Sequence, residues 1–136
     1  MPPPKTPLLT VDCVVLDDAR RVLLIERRNP PFKGQLALPG GFVDLDESVE
    51  DACRRELREE TGLRAGRLAL IGVYSKPGRD PRGPTVSIVY LTRVAHRRVI
   101  ARDDAAAAVW RADWNRLDLA FDHKLIIRRA LTLASV

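Results

Sequence analysis

The chain is poor in cysteine and has no long apolar stretch. Only two cysteines, Cys13 and Cys53, occur among 136 residues, and they have neither metal-ligand spacing nor the number that a secreted disulfide framework needs. No apolar run approaches the ~18 residues of a membrane span, and residues 1–7 show no signal cleavage pattern. These absences predict reduced core thiols and a soluble, cytoplasmic protein with no membrane partner.

Aromatic side chains and negative charge are also in short supply. Aromatic residues make up 5% of the chain, and 23 Lys and Arg against 18 Asp and Glu give a net charge of +5. The basic residues are scattered and form no stripe with interleaved aromatics, so a nucleic-acid partner is not expected. A small phosphate-bearing substrate explains the charge better. With 46% hydrophobic and 30% charged residues and no internal repeat, residues 1–136 are predicted to form one globular domain.

The most informative pattern in the chain reads Gly-x5-Glu-x7-Arg-Glu-Leu-x-Glu-Glu-x-Gly-Leu. Its members are Gly41, Glu47, Arg55, Glu56, Leu57, Glu59, Glu60, Gly62 and Leu63. Ser48, followed three residues later by Asp51, has the spacing of a capping box, and Gly62 can supply the left-handed residue that ends a helix. The sequence therefore predicts a helix over Val49–Thr61.

Two glutamates of this helix fall on the face that should be buried. At about 100° per residue, Glu56 and Glu60 lie in the middle of the apolar stripe and Glu59 lies at its edge. Burying ionised carboxylates costs on the order of several kcal/mol each, whereas a surface pair returns only about 0.2–0.5 kcal/mol. A divalent cation would compensate them, and Mg²⁺ suits because it takes oxygen ligands shared with substrate phosphates. Ordinary salt bridges on an acidic helix are the alternative.

A basic and an acidic residue of the pattern are expected to work as a pair. Arg55 lies one helical turn before Glu59 and can hold a carboxylate in a fixed bidentate orientation. Glu47, just ahead of the helix, is the predicted second partner of this guanidinium.

The pattern matches the signature of the Nudix hydrolases at every specified position, so the chain resembles that family. The resemblance implies a loop-helix-loop that binds magnesium or manganese and hydrolyses a nucleoside diphosphate linked to another group. It implies that Glu56 and Glu60 are the principal metal ligands, Glu59 a further ligand, and the backbone carbonyl of Gly40 another. The implied orienting pair is Arg55 and Glu47.

Segments outside this pattern resemble the ADP-ribose pyrophosphatase branch of the family. They are RRNPPFKG at residues 27–34, RDPRG at residues 79–83 and LAFDH at residues 119–123. Arg28, Arg79 and Arg82 are the substrate-binding candidates, because a guanidinium offers a planar fork to phosphates. A solvated turn is the alternative interpretation of residues 79–83.

The sequence predicts the roles of several other polar and aromatic residues less specifically. Asp103 and Asp104 lie where some Nudix enzymes carry an extra acidic ligand or base, although a turn is the simpler interpretation. Glu59 and Asp104 are the candidates for the general base. His123 is interpreted as structural, since it follows the expected helix cap at Asp122. Core packing is expected for most of the aromatic residues that could stack on adenine, which are Tyr90, Trp110, Trp114 and Phe121.

The order of elements predicts an α+β fold. Strands are expected over Leu8–Leu16, Val22–Arg27, residues 36–38, 68–74, Thr85–Arg93 and residues 109–111, with a last helix from the Asp122 cap to about residue 133. The resemblance implies the Nudix α/β/α sandwich with a central mixed β-sheet.

The predicted function is metal-dependent hydrolysis, with Mg²⁺ or Mn²⁺, of ADP-ribose or a close nucleoside-diphosphate derivative to AMP and ribose 5-phosphate. One alternative is a sanitising pyrophosphatase for oxidised or non-standard nucleoside triphosphates. Another is a non-catalytic ADP-ribose-sensing domain of a transcriptional regulator. The whole acidic pattern, and a chain that ends soon after its last predicted helix, favour the enzyme. Relatives in this branch are often homodimers, so a homodimer is possible here.

Overall fold

A mixed β-sheet forms the centre of the computed structural model, which describes residues 1–95 and 105–134. In chain order its strands are β1 (Leu8–Leu16), β2 (Val22–Arg27), β3 (Leu36–Ala37), β4 (Gly40–Phe42), β5 (Ala69–Tyr74), β6 (Thr85–Arg93) and β7 (Ala105–Arg111). The helices are α1 (Val49–Thr61) and α2 (His123–Ala134), with a 3-10 turn at Trp114–Arg116.

Strand β1 is central in the sheet and pairs with β2, β4 and β6. The order is β3-β2-β1-β6-β5, with β4 pairing additionally to β1 and β7 to β2. The β1–β6 pairing is parallel, from Leu8 opposite Thr85 to Leu16 opposite Arg93, and the other named strand pairs are antiparallel. This topology brings β4 directly beside the middle of β1, where Asp12 lies opposite Gly40.

The two helices cover opposite faces of the sheet, because side chains along a strand alternate between faces. Val11, Cys13 and Val15 of β1 share one hydrophobic cluster with Ala52, Cys53 and Leu57 of α1. The intervening Val14 and Leu16 share another with Ile126 and Ile127 of α2. Each fully buried aliphatic side chain contributes about 1.5–3 kcal/mol. The predicted α+β class and α/β/α sandwich are confirmed.

The sequence prediction for α1 is confirmed at both ends. The Asp51 backbone N–H donates to the Ser48 side chain at 3.1 Å, which caps the first turn. Gly62 adopts a left-handed conformation with φ of 77°, and its N–H donates to the Arg58 carbonyl at 2.8 Å. The start of α1 beside β4 is therefore determined locally.

Two strands differ from the prediction. The turn expected around Gly40 contains the short strand β4, because its backbone pairs with β1 at a distance that only glycine allows: a Cβ on Gly40 would collide with the Val11 carbonyl. Strand β7 begins at Ala105 instead of residue 109, since pairing with β2, such as Ala108 opposite Ile25, outweighs the weak strand propensity of alanine. Of the helices in the described residues, none is long and apolar enough to cross a bilayer.

Candidate active site

Helix α1 directs its buried glutamates against β4. Glu60 is 5% exposed, and its Oε1 accepts a hydrogen bond from the Gly40 N–H at 2.9 Å. The Glu56 side chain is 16% exposed, and the Glu59 side chain is 44% exposed. The helical periodicity thus placed two carboxylates on the inner face and the third at its edge, as predicted.

Burial raises the pKa of both inner glutamates. For Glu60 the loss of hydration dominates, and the neighbouring carboxylates of Glu56 and Asp12 raise the pKa further. For Glu56 burial is again the largest cause, and it is opposed by the nearby Arg55 guanidinium. Two adjacent carboxyl groups in a poorly hydrated place favour either a shared proton or a bound cation.

Arg55 joins the carboxylates of the pattern through one guanidinium. It holds Glu47 in a bidentate pair, with Nε to Oε2 at 2.9 Å and Nη2 to Oε1 at 2.6 Å. Its Nη1 donates to Glu56 at 2.9 Å and to Glu59 at 3.1 Å, and Nη2 also donates to the Phe42 carbonyl. These hydrogen bonds lower the pKa of Glu47 to about 2. The predicted pairing of Arg55 with Glu47 is therefore present, and it aligns the helix with β4.

Gly41 is a glycine because the Glu56 carboxylate fills the space beside it. A Cβ at this position would lie 2.5 Å from Oε1 and 2.9 Å from Oε2 of Glu56. The absence of a side chain lets the carboxylate approach the backbone of β4. The positions of β4 and of the Glu56 carboxylate are thus coupled.

A cleft of about 330 Å³ opens over this acidic face. The cleft is lined by Glu56, Glu60 and Gly41 and also by Arg28 and Arg82. The fold thus brings two of the three predicted substrate-binding arginines into one cleft with both glutamates, although residues 28 and 82 are far apart in sequence, and Arg79 lines an adjoining cavity with Glu60. The cleft combines negative and positive groups, as binding of a metal and a diphosphate would require.

The two arginines of the cleft are held differently. Arg28 donates from Nη2 to the Ala105 carbonyl at 3.0 Å. Arg82 is 44% exposed and pairs with Asp80 at 2.8 Å, and its guanidinium carbon lies 5.2 Å from the ring centroid of Phe42 and 5.8 Å from that of Phe121. Nε of Arg82 also donates to Asp80, at 3.1 Å, so the Asp80 carboxylate and the two aromatic rings together hold the guanidinium at the cleft.

Arg79 lines a smaller cavity of about 60 Å³ that adjoins the cleft, but its fork is directed at the protein. Its side chain is 5% exposed and binds Asp122 with Nε at 2.9 Å and Nη2 at 2.7 Å. The remaining nitrogen, Nη1, donates to Thr85 at 2.9 Å. Direct contact of Arg79 with substrate stays a prediction, whereas its tethering of the loop to the start of α2 is evident.

Sequence reasoning missed Asp12 and gave His123 only a general structural role. The Leu38 N–H donates to Nδ1 of His123 at 2.9 Å, and Nε2 lies 3.4 Å from Oδ1 of Asp12. Ser87 donates to the other Asp12 oxygen at 2.5 Å. Burial lowers the pKa of His123, which favours the neutral ring. Asp12 could have been singled out from the sequence because it is a charged residue in the middle of an otherwise apolar strand.

Most of the aromatic candidates belong to the core. Trp110 and Tyr90 pack in the cluster beside α1, and Trp114 packs in the cluster beside α2. Phe121 differs, because it lines the smaller cavity next to the cleft and has a positive φ of 53°. Its ring contacts Phe32 at a centroid distance of 4.8 Å. Phe121 is thus the candidate of this group that the fold brings to the site.

The donor chemistry fits a hard divalent cation. Glu56 and Glu60 supply carboxylate oxygens whose burial without a counter-ion is unfavourable, and Mg²⁺ is commonly bound through only one or two carboxylates. Within residues 1–95 and 105–134, no group of three or more His, Cys, Asp or Glu side chains is already arranged to hold a metal. Glu56 and Glu59 instead contact Arg55. The predicted extra acid, Asp104, lies outside the described residues.

Comparison with known proteins identifies the family. A family model for the NUDIX domain matches residues 6–134, and the chain therefore belongs to the Nudix hydrolases. An ADP-ribose pyrophosphatase from Methanocaldococcus jannaschii is 50% identical over 123 residues, which are 90% of this chain and 72% of that protein. These matches confirm the resemblance predicted from the sequence pattern.

Regulatory proteins are also similar. The ADPR responsive transcriptional repressor NtrR of Acinetobacter baylyi is 35% identical over 92% of this chain, which spans only 53% of the repressor. The NUDIX domain of Shewanella oneidensis NrtR, solved as a cocrystal with ADP ribose, has a TM-score of 0.89 and 33% identity. That similarity covers 96% of this chain and 90% of the solved one.

Proposed function

We propose that this chain hydrolyses ADP-ribose, or a close nucleoside-diphosphate derivative, to AMP and ribose 5-phosphate. The observation that carries the proposal is the cleft that Glu56 and Glu60 line together with Arg28 and Arg82. Acidic groups suited to a metal and basic groups suited to a diphosphate thus lie together. The similarity to a pyrophosphatase named for ADP-ribose supports this substrate.

The proposed cofactor is Mg²⁺ or Mn²⁺. Glu56, Glu59, Glu60 and the Gly40 carbonyl would hold it, and Glu56 and Glu59 would then share or exchange their contacts with Arg55. When bound, such an ion polarises a phosphoryl oxygen, stabilises charge on the leaving phosphate and lowers the pKa of bound water. Water is the proposed nucleophile.

The protein's own residues would prepare the substrate and the ligands. Arg55 and Glu47 keep the acidic side chains in a fixed orientation, which reduces the reorganisation needed in the reaction. Arg28 and Arg82 would bind the diphosphate and oppose its charge. Glu59 and Asp104 stay the two candidates for the base, and the Glu59 side chain, 44% exposed, can exchange a proton with solvent.

A screen of dinucleoside, sugar-nucleotide and triphosphate substrates with Mg²⁺ and with Mn²⁺ would test this function. We expect ADP-ribose to give the highest kcat/KM, because residues 79–83 and 119–123 around the intact acidic pattern resemble the ADP-ribose branch, and because the chain is 50% identical to an ADP-ribose pyrophosphatase. Mass spectrometry of products formed in oxygen-labelled water would identify the phosphorus that is attacked.

Two results would reject the proposal in favour of a specific alternative. An oxidised or ordinary triphosphate hydrolysed about tenfold more efficiently, a difference near 1.4 kcal/mol in the barrier, would indicate a sanitising enzyme. Tight binding of ADP-ribose with no hydrolysis in the presence of either metal would indicate a sensing domain, the role suggested by the similarity to NtrR.

Replacing Arg82 and Arg79 separately should give two different results. Arg82→Ala is expected to raise KM for ADP-ribose by about 5–150-fold, equivalent to about 1–3 kcal/mol, because a charge-assisted contact is lost. Both variants should lower the melting temperature, since Arg82→Ala leaves the buried Asp80, and Arg79→Ala leaves Asp122, without a bidentate partner. Arg79→Ala should do so without the rise in KM, because its fork binds Asp122. Steady-state kinetics and thermal unfolding measure the two effects.

Arg111→Ala is the matched control, because Arg111 forms a bidentate pair with Asp113 at the surface and does not line the cleft. It should change neither KM nor the melting temperature appreciably. An unchanged KM in Arg82→Ala would show that this arginine does not bind substrate.

A further inference from the structure

We propose that His123 is a positioning residue for the metal site: through the Leu38 backbone it holds residues 38–41 against Glu56 and Glu60. Asp12 and Ser87 set the orientation of its ring. This proposal rests on the proposed metal-dependent function, because it assigns a purpose to the precise placement of those glutamates.

Three successive residues ahead of Gly41 are each bound to a different element. The Leu38 N–H donates to Nδ1 of His123 in α2 at 2.9 Å. The Pro39 carbonyl accepts from the Cys13 N–H of β1 at 2.9 Å. The Gly40 N–H donates to Glu60 of α1 at 2.9 Å. The His123 contact is the one of the three that uses a side chain from the far side of the sheet.

The hydrogen bonds of His123 determine which ring nitrogen carries the proton. Because Nδ1 accepts from Leu38, the proton of a neutral ring lies on Nε2, which faces Oδ1 of Asp12 at 3.4 Å. Ser87 donates to the second oxygen of Asp12 at 2.5 Å and so fixes that carboxylate. Ser87 and the Nε2 side of His123 thus converge on the Asp12 carboxylate, while Leu38 donates to Nδ1, and this arrangement admits one ring orientation.

The position of residues 38–41 matters because the space beside them is filled. The carboxylate of Glu56 lies 2.5 Å from where a Cβ of Gly41 would be, and Oδ1 of Asp12 lies 2.7 Å from that of Gly40. A small movement of this backbone therefore changes the positions of both glutamates. Loss of the acceptor at His123 would also leave a buried N–H unpaired and release the segment.

Two amide substitutions separate this role from simple packing. His123→Asn keeps an oxygen near the place of Nδ1, so Leu38 retains its acceptor, whereas His123→Gln keeps an amide nitrogen near the place of Nε2 and removes that acceptor. We expect His123→Gln to weaken Mn²⁺ binding about 10–100-fold, the usual effect of removing a group that orients ligands. His123→Asn should stay within about threefold of the wild type, since the acceptor for Leu38 is kept.

The measurement is calorimetric titration of each full chain with Mn²⁺ in the absence of substrate, followed by kcat at saturating Mn²⁺. Ile127→Val is the matched control, because Ile127 is fully buried in the same helix and lies outside the network. It should lower the melting temperature and leave Mn²⁺ affinity unchanged. Ser87→Ala should weaken Mn²⁺ binding more than Ile127→Val does, and this comparison decides the question if His123→Gln does not fold.

Equal Mn²⁺ affinities of His123→Gln and His123→Asn would overturn the proposal. The proposal would also be overturned if Mn²⁺ affinity simply fell in step with the melting temperature across all variants. A wild type that binds no Mn²⁺ would overturn it as well. A wild type that binds Mn²⁺ but does not hydrolyse ADP-ribose would reject the proposed function only, because the positioning of the ligands would still be read from Mn²⁺ affinity.

Discussion

Glu60→Gln is expected to reduce turnover on the order of a thousandfold while the fold is kept, and Glu56→Gln should act similarly. Each substitution removes a negative charge from the proposed metal site without changing the size of the side chain. Metal polarisation of a phosphoryl group contributes several kcal/mol, and about 1.4 kcal/mol corresponds to a tenfold change in rate. Steady-state kinetics at saturating Mg²⁺ measure the loss, with circular dichroism to verify folding.

Glu60→Gln should also change how the stability of the protein depends on pH in metal-free buffer. Burial raises the pKa of Glu60 above its ordinary value of 4.5, so the folded state retains a proton that the unfolded state has released. The wild type therefore loses stability as the pH rises above the unfolded value toward the folded one. Glu60→Gln lacks this loss and should melt at a higher temperature than the wild type at neutral pH in a chelator.

Glu50→Gln is the matched control, since Glu50 lies on the exposed side of the same helix. It should retain normal kinetics and, from acid to neutral pH, the pH dependence of stability of the wild type, because its hydrogen-bond partner, the Tyr90 hydroxyl, titrates far above that range. Near-normal turnover of Glu60→Gln and Glu56→Gln at saturating Mg²⁺ would show that these residues are not metal ligands.

Arg55→Lys should lower kcat by about 10–100-fold although the positive charge is kept, as is usual when a group that orients ligands is replaced. One guanidinium now binds Glu47 through two nitrogens and reaches Glu56 and Glu59 with a third. A lysine ammonium is a point charge and cannot reproduce that planar fork. The glutamates would then adopt several orientations, which reduces the fraction aligned for the reaction.

Arg58→Lys is the control for this experiment, because Arg58 lies on the exposed side of α1. It should have wild-type kinetics. The orienting role of Arg55 would be abandoned if Arg55→Lys behaved in the same way as Arg58→Lys, with kcat unchanged and only the melting temperature affected.

The sequence by itself determined α1 and the chemistry that it carries. Its ends were predictable because the Ser48 cap and the left-handed Gly62 act within a few residues of the helix. The burial of Glu56 and Glu60 followed from helical periodicity, and the partner of Arg55 followed from the closeness of Glu47 in sequence. The family could be recognised because this whole functional unit lies in one continuous segment.

Tertiary structure decided which of the more distant residues meet at the site. Arg79 lies in a loop whose sequence suggested phosphate binding. In the fold its guanidinium instead binds Asp122, which is 43 residues away in the sequence. The contact of His123 with the Leu38 N–H spans 85 residues and uses a backbone group that no sequence pattern marks. Such contacts depend on the parallel register of β1 with β6 and on the covering of the opposite sheet face by α2. Those relations arise from long-range pairing and packing, which local propensities do not specify.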